Sequence, residues 1–246
     1  MTARVGLIIP SSNRMVEQEL VRHFPPDVQA HVARLRMTGP HHRPLDELLP
    51  RIEEATATLG DARCEVVVFH CTATSMEEGA SGEERILAAM MRAGAARAVS
   101  TATAVRHAFD ALGARRIVLV TPYDAKVTEE EAAFLRAGGY DVLRAEALTL
   151  ADSDAYCAAP AEFWRDRAIA AARPDAEAIF ISCANIATFA IIADVERATG
   201  RPVVTSNQVV VWEALRQLDR TDRRGCPGRL FDTIVAVEPM RIAQTG

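Results

Sequence analysis

The sequence predicts an α/β protein made of two similar lobes, each a parallel sheet flanked by helices. The first observation is that apolar runs of strand length alternate with amphipathic segments of helix length. Continuous apolar strands separated by helices are typical of parallel sheets that are covered on both faces. The second observation is that the pattern of the first half returns in the second, where several residues recur 112 positions later. Together they indicate two pseudo-symmetric, Rossmann-like lobes with an active site between them.

The first half of the chain begins with a strand and then alternates between the two element types. Its apolar runs predict strands at 4–9, 65–70 and 97–100, and its amphipathic segments predict helices at 14–24, 83–95 and 103–113. Ser12 or Asn13 is expected to cap the first helix, because such side chains accept hydrogen bonds from free N–H groups. Gly113 is expected to end the third helix, because glycine adopts the left-handed conformation readily.

The second half repeats this alternation. Strands are predicted at 116–121, 177–182 and 202–206, and helices at 128–139, 189–200 and 208–218. Thr128 and Glu131 have the spacing of a capping box at the start of a helix that ends at Gly138 and Gly139. The acidic run Glu129–Glu131 is therefore predicted to be a solvated first turn, where negative charge is favourable.

The internal repeat defines the expected domains. At a shift of 112 positions, seven pairs of residues are identical, namely Arg4 with Arg116, Leu7 with Leu119, Pro10 with Pro122, Glu17 with Glu129, Glu19 with Glu131, Glu65 with Glu177 and Cys71 with Cys183. We expect residues 1–114 to form lobe 1 and residues 115–205 to form lobe 2. A C-terminal exchange would add residues 206–231 to lobe 1, and residues 232–246 would form a tail.

Composition and charge argue against several classes of protein. The net charge of −5 is unlike that of a general nucleic-acid binder, and no apolar run has the length of a membrane span or secretory signal. Lys126 is the only lysine, so no phosphate-binding Gly-Lys-Ser/Thr loop exists. The five cysteines are odd in number and lack metal-site spacing. We expect a cytoplasmic protein that binds neither nucleic acid nor membrane.

Two of the cysteines, Cys71 and Cys183, follow matched strands of the repeat. Ligands of open parallel sheets bind beyond the carboxyl ends of the strands, so the two thiols are expected to face one cleft. A thiolate can remove a proton or add to an activated double bond, and a second thiol can deliver a proton. Uncharged donors suited to a carboxylate ligand lie in the same loops, namely Ser11, Ser12, Asn13, Thr72, Thr74 and Tyr123. Such a site requires neither a metal nor an organic cofactor.

Three histidines are assigned structural positions. His70 precedes Cys71, and neighbouring residues of a strand point to opposite faces, so His70 is expected to pack away from the cleft. His41 and His42 lie in the Pro- and Gly-rich segment TGPHHRP, which is expected to form a loop over the cleft rather than a metal site.

The segments GLIIPSSN, FHCTAT, VTPY, ISCANIAT and GRLF occur in an order that resembles the aspartate/glutamate racemase superfamily. The resemblance extends over residues 4–231 and is strongest to the group of maleate cis-trans isomerases and arylmalonate decarboxylases. The decarboxylases have glycine in place of the first cysteine, whereas this chain has both, as the isomerases and racemases do. The resemblance implies a nucleophile at Cys71 and an acid/base partner at Cys183.

The resemblance also implies contacts to a small carboxylate or dicarboxylate substrate. Asn13 and Tyr123 correspond to substrate-binding residues of the isomerases, Thr72 to a hydroxyl that holds a carboxylate, and Ala184 follows the second cysteine. Ser153 stands where maleate isomerases have asparagine, which suggests a related unsaturated diacid or a racemisable acid instead of maleate itself. Maleate-like cis-trans isomerisation through an enediolate-type intermediate is the expected reaction.

Two alternatives remain open from the sequence. A racemase would use the same cysteine pair to move a proton between the two faces of an amino acid or a 2-substituted acid. A non-catalytic, two-lobed protein would close on a carboxylate without turnover. In each case we expect a homo-oligomer, the usual state of soluble enzymes of this size.

Overall fold

The computed structural model describes residues 2–222 and 225–234. The elements of the first half are β1 (Ala3–Pro10), α1 (Val16–Glu19), β2 (Val28–Leu35), α2 (Leu45–Asp61), β3 (Val66–Phe69), α3 (Thr72–Met76), α4 (Gly79–Arg92), β4 (Ala98–Ser100) and α5 (Thr101–Leu112). Those of the second half are β5 (Arg116–Thr121), α6 (Ala125–Ala137), β6 (Asp141–Ala147), α7 (Ser153–Ala158), α8 (Ala161–Ala171), β7 (Ala178–Ile181), α9 (Ile192–Thr199), β8 (Val203–Thr205) and α10 (Ser206–Gln217). Short 3-10 helices span Val21–His23, Phe189–Ile191 and Arg229–Thr233.

The strands form two four-stranded parallel sheets of the same topology. Their orders are β2-β1-β3-β4 and β6-β5-β7-β8, with helices on both faces. The sequence repeat is therefore a repeat of structure, and the predicted fold class is confirmed. The matched acids Glu65 and Glu177 accept equivalent backbone hydrogen bonds in the two sheets. Glu65 accepts a hydrogen bond from the backbone N–H of Arg4, and Glu177 from those of Arg115 and Arg116.

Two apolar clusters hold the helices on the sheets. The larger cluster takes residues from both halves, such as Val68, Phe109 and Ile179, whereas the smaller packs α2 and α4 on the outer face of the first sheet through residues such as Phe69 and Ile52. Helix α10 follows β8 but packs against α5 and β3 of the first half. This packing supports the proposed C-terminal exchange, while the boundary between residues 114 and 115 stays a prediction.

Two predicted helices differ from the structure. The segment 14–24 is not one helix, because α1 ends at Glu19 and a 3-10 helix follows from Val21. The capping box at Thr128 is wrong, because α6 begins one turn earlier and the side chain of Asp124 accepts the N–H of Val127 instead. Most of the predicted tail at 232–246 lies outside the described residues. Within the described ranges, every helix is too short or too polar to span a lipid bilayer.

Candidate active site

A small cavity lies at the carboxyl ends of the central strands of both sheets. The empty space within it is about 360 Å³, a figure that includes space open to solvent. Both matched cysteines line it. The other lining residues come from loops of both halves, namely Pro10, Ser12, Asn13, Thr38, Gly39, Pro40, Thr72, Tyr123, Ser153, Tyr156, Ala184 and Asn185. The predicted convergence of loops on one cleft therefore occurs.

Cys71 lies between β3 and α3 and is 7% exposed. Its backbone is extended, with φ at −143°, and its thiol donates a hydrogen bond to Thr74 Oγ1 at 3.3 Å. Burial raises the pKa of the Cys71 thiol to about 11, although the hydroxyl and backbone N–H of Thr74 act in the opposite direction. Thr74 thus contacts the Cys71 thiol and is not part of the cavity wall.

Cys183 follows β7 at the matched position of the second sheet and is 5% exposed. Its φ of 140° is unusual for a residue with a side chain. In this conformation the backbone N–H of Asn185 donates to the Cys183 sulfur at 3.3 Å. The backbone N–H of Cys183 donates to Ser206 Oγ at 3.0 Å. Burial raises the pKa of the Cys183 thiol to about 12, against the hydrogen bonds from Tyr123 and Asn185.

The two thiols influence one another across the cavity. Negative charge on Cys71 further raises the pKa of Cys183, so the pair resists losing a second proton. Both sulfurs are therefore protonated near neutral pH. Any chemistry that begins with a thiolate must first remove one proton from this pair.

Tyr123 and Tyr156 form one wall of the cavity. Their rings meet edge to face with centroids 5.9 Å apart, and Tyr123 is 5% exposed. Desolvation raises the pKa of Tyr123 well above its usual value, so its hydroxyl stays protonated, and this hydroxyl lowers the pKa of the Cys183 thiol against the effect of burial. Tyr156 was not predicted, because a single tyrosine on a short helix carries no sequence signal.

Asn13 lines the cavity and connects the two halves of the chain by a hydrogen bond. Its Oδ1 accepts the N–H groups of Met15 and Val16, as expected of a capping residue, and its Nδ2 donates to the carbonyl of Ala184 at 3.0 Å. The amide has a second N–H, which can serve a ligand. Capping and ligand contact are therefore compatible at this residue.

Ser12 and Ser153 face one another at the cavity wall. The hydroxyl of Ser153 lies 3.1 Å from Ser12 Oγ and 3.1 Å from the carbonyl of Thr38. Ser11 is placed differently from the prediction that grouped it with the substrate contacts. Its hydroxyl donates to the carbonyl of Met37, and it does not line the cavity.

Thr72 is connected to Cys183 through Ser206, a residue that the sequence analysis did not select. The hydroxyl of Thr72 donates to Ser206 Oγ at 2.7 Å, and the same oxygen accepts the N–H of Cys183. Asn185 was also missed. Its Nδ2 lines the cavity side of the loop, is buried, and has no hydrogen-bond partner within the described residues. A buried amide donor of this kind suits a carboxylate oxygen.

The loop between β2 and α2 lies over the cavity and is tied to both halves. Thr38, Gly39 and Pro40 line the cavity, and His41 contacts Glu77 through Nδ1 at 2.6 Å and Glu130 through Nε2 at 2.7 Å. Burial raises the pKa of Glu77, an effect that its contact with His41 opposes. His70 packs away from the cavity, as predicted, between Thr101 and Asn207, and burial lowers its pKa to about 4.

Glu131 contradicts its prediction as a solvated residue. Its side chain is 1% exposed, and neither carboxyl oxygen has a hydrogen-bond partner among the described residues. Burial raises the pKa of Glu131 to about 8, against a smaller opposing influence of the nearby Ser182 hydroxyl. The helical spacing held the missing signal, since Glu131 lies four residues after Val127 and four before Leu135, both on the buried face of α6.

The chain is thus a two-lobed α/β protein in which two cysteines at matched strand ends line one cavity. The family model for arylmalonate decarboxylase matches residues 5–231. The chain therefore belongs to the arylmalonate decarboxylase family, within which its relatives are decarboxylases and maleate isomerases.

Among these relatives, the maleate isomerase of Nocardia farcinica is 30% identical over 88% of this chain and 90% of its own. The arylmalonate decarboxylase of Bordetella bronchiseptica is 28% identical over 94% of this chain and 97% of its own. A structure of the Nocardia farcinica enzyme, in which a cysteine is replaced by serine and a succinylcysteine intermediate is covalently bound, superposes with a TM-score of 0.87. It is 27% identical and covers 95% of this chain and 99% of its own.

Proposed function

We propose that the protein is a cofactor-independent isomerase that converts a small cis-unsaturated dicarboxylate of the maleate type into its trans form. The observation that carries this proposal is the single cavity into which both Cys71 and Cys183 open. A covalent succinylcysteine, named for the related enzyme of Nocardia farcinica, is the adduct expected when a cysteine adds to maleate.

The proposed reaction uses the two sulfurs in turn. The thiolate of Cys71 forms a bond to one alkene carbon, and the π electrons move onto the neighbouring carboxylate as an enediolate. The former double bond is now single and rotates. The sulfur–carbon bond then breaks, the electrons restore the double bond in the trans arrangement, and the Cys71 thiolate is regenerated. Cys183 can protonate the enediolate carbon and later remove the same proton.

The cavity wall supports a dicarboxylate without a cation. Its residues within the described chain include no lysine or arginine, so the carboxylates would be held by hydroxyl and amide donors. Such donors in the cavity wall are carried by Ser12, Asn13, Ser153 and Asn185. A neutral, preorganised set of donors can stabilise an enediolate as its charge develops.

The substrate is expected to carry a group larger than hydrogen beside a carboxylate. Serine at position 153 is shorter than the asparagine implied by the family resemblance, and its hydroxyl is already engaged with Ser12 and Thr38. The rings of Tyr123 and Tyr156 also line the cavity. A methyl-substituted maleate matches this combination of reduced polarity and aromatic surface.

The test is a panel of acids incubated with the protein in heavy water and followed by proton NMR. The panel contains maleate, substituted maleates, arylmalonates, aspartate and glutamate, and the Cys71→Ser/Cys183→Ser double variant is the control. Formation of a trans acid by the wild type alone supports the proposal. Solvent deuterium at the α-carbon of a saturated acid identifies a racemase, loss of CO₂ identifies a decarboxylase, and binding without conversion identifies a carboxylate-binding protein. Each of these three results overturns it.

Replacing Tyr123 by phenylalanine is expected to lower kcat/KM about ten- to hundredfold. The change removes the hydroxyl that favours the thiolate of Cys183, and hydrogen bonds to a charged group contribute about 1.5–3 kcal/mol. The edge-to-face contact with Tyr156 remains, so the melting temperature should change little. Tyr140→Phe is the matched control, since Tyr140 donates to Arg106 and Asp110 away from the cavity. Equal loss of activity in both variants would contradict a specific role for Tyr123.

A further inference from the structure

Glu131 lies on the buried face of α6, and that helix packs against α3, whose first residue follows Cys71. A hydroxyl that acts on it belongs to Ser182, which directly precedes Cys183, and this oxygen also lacks a hydrogen-bond partner within the described residues. The carboxyl group is therefore placed between the elements that carry the two cysteines. Its charge acts on Cys71, on Cys183 and on Tyr123.

Among the described residues, no positively charged side chain forms an ion pair with the Glu131 carboxyl group. The ionisable groups on α6 and on the elements packed against it are Cys71, Glu77, Glu83, Glu84, Arg85, Arg92, Lys126, Glu129, Glu130, Arg136, Asp141, Arg144 and Glu146, with His41 from the covering loop and Tyr123 and Cys183 from the cavity. Each of the five cations on these helices and strands is paired with another acid. A desolvated carboxylate without such a partner is unfavourable, so the protonated form is preferred.

We propose that Glu131 is a positioning residue that controls thiolate formation at Cys71 and Cys183, because it shares one negative charge with them inside the same buried region. This inference rests on the proposed function, in which one of the two thiols must lose a proton. While Glu131 is neutral, a thiolate can form beside it. Once Glu131 is ionised, a thiolate forms only if a second negative charge is tolerated or if the carboxylate takes the proton back.

The proton count leads to a specific pH dependence. Below the pKa of Glu131, the reactive form has lost one proton relative to the resting form, so its fraction rises tenfold per pH unit. Above that pKa, the resting form has already lost this proton from Glu131. Moving it from sulfur to carboxylate involves no exchange with solvent, and the reactive fraction becomes independent of pH.

The first test measures the thiolates directly by their ultraviolet absorbance during a pH titration, which needs no substrate. The contribution of the pair is the difference between each protein and the same protein carrying Cys71→Ser and Cys183→Ser. Glu131→Gln is expected to move thiolate formation to lower pH by about one unit or more, since it removes a like charge from the same region. Glu129→Gln, an exposed neighbour on α6, is the matched control and should titrate as the wild type does.

The second test is the pH profile of kcat/KM, which reports groups of the free enzyme. The wild-type profile should level off near pH 8, whereas Glu131→Gln should continue to rise and exceed the wild type about tenfold near pH 9. If Glu131→Gln does not fold, Glu131→Met serves instead, because it also removes the charge.

The two readouts separate this inference from the proposed function. An unchanged thiolate titration in Glu131→Gln overturns the role of Glu131 even if the protein is an isomerase. A shifted titration supports that role even if none of the acids in the panel is converted.

Discussion

Replacement of Cys71 by serine is expected to lower kcat by about a thousandfold or more while the fold is retained. A serine hydroxyl is far less acidic than a thiol and cannot supply the nucleophile, whereas its size suits the same buried position. Cys226→Ser is the matched control, since Cys226 contacts the carbonyl of His23 and is not part of the cavity wall. Turnover should be measured by proton NMR and folding by thermal denaturation.

The variant Cys183→Ser is expected to behave differently. It keeps the nucleophile at Cys71 but loses the acid/base partner, so an adduct with a maleate-like acid should form and persist. Intact-protein mass spectrometry should show a gain of one substrate molecule, and peptide mapping should place it on Cys71. An adduct on Cys183 in the Cys71→Ser variant, with none on Cys71 in Cys183→Ser, would mean that the two roles are reversed.

The second large effect is expected in the pH dependence of stability. The pKa of Glu131 is about 8 in the folded protein against a usual value of 4.5, so the folded state binds more protons between these limits. The free energy of unfolding conferred by this group is therefore greatest below about pH 4.5 and falls as the pH rises toward 8. The loss is on the order of 5 kcal/mol, from about 1.4 kcal/mol per unit of pKa over the shift from 4.5 to about 8.

The measurement is urea denaturation of the wild type and of Glu131→Gln from about pH 5 to about pH 8. The difference between them isolates Glu131, because other groups act in both proteins. His70, whose pKa is lowered by burial, makes stability increase with pH up to its usual pKa of 6.5 and thereby masks part of the effect in the wild type alone. Glu129→Gln should show no pH-dependent difference. A constant difference between Glu131→Gln and the wild type would mean that Glu131 titrates normally.

The sequence predicts the central strands well because they are buried on both faces and therefore continuously apolar. Strands β1, β3, β5 and β7 all occur where expected, with Cys71 and Cys183 following β3 and β7. The edge strands β2 and β6 have no predicted counterpart, unlike the edge strands β4 and β8. The residues of β2 and β6 are mostly half-buried or exposed, so these two strands carry too few buried apolar residues to be recognised in this way.

The cysteines of the candidate site could be predicted because they lie in the repeated segments, whereas residues that are placed there by tertiary contacts were missed. Cys71 and Cys183 stand out because the chain contains the same segment twice. Ser206 and Asn185 act through hydrogen bonds to residues distant in the sequence or in adjoining loops, and nothing local distinguishes them from other polar residues. Glu131 was misplaced because a cap at Thr128 would put the acid in the first turn, whereas α6 begins after Asp124 and places Glu131 on the buried face.

The two cysteines are equivalent in the repeat but not in backbone conformation. Cys71 is extended, whereas Cys183 has a φ of 140°, a region that glycine adopts at little cost and other residues adopt under strain. Cys183→Gly should therefore be more stable than Cys183→Ala by about 1 kcal/mol in urea denaturation, although neither variant retains a sulfur at this position. The symmetry of the two halves is thus broken at the backbone of the second cysteine. The unfavourable φ of Cys183 lowers folding stability locally, in a conformation in which its sulfur accepts the N–H of Asn185 and lines the cavity.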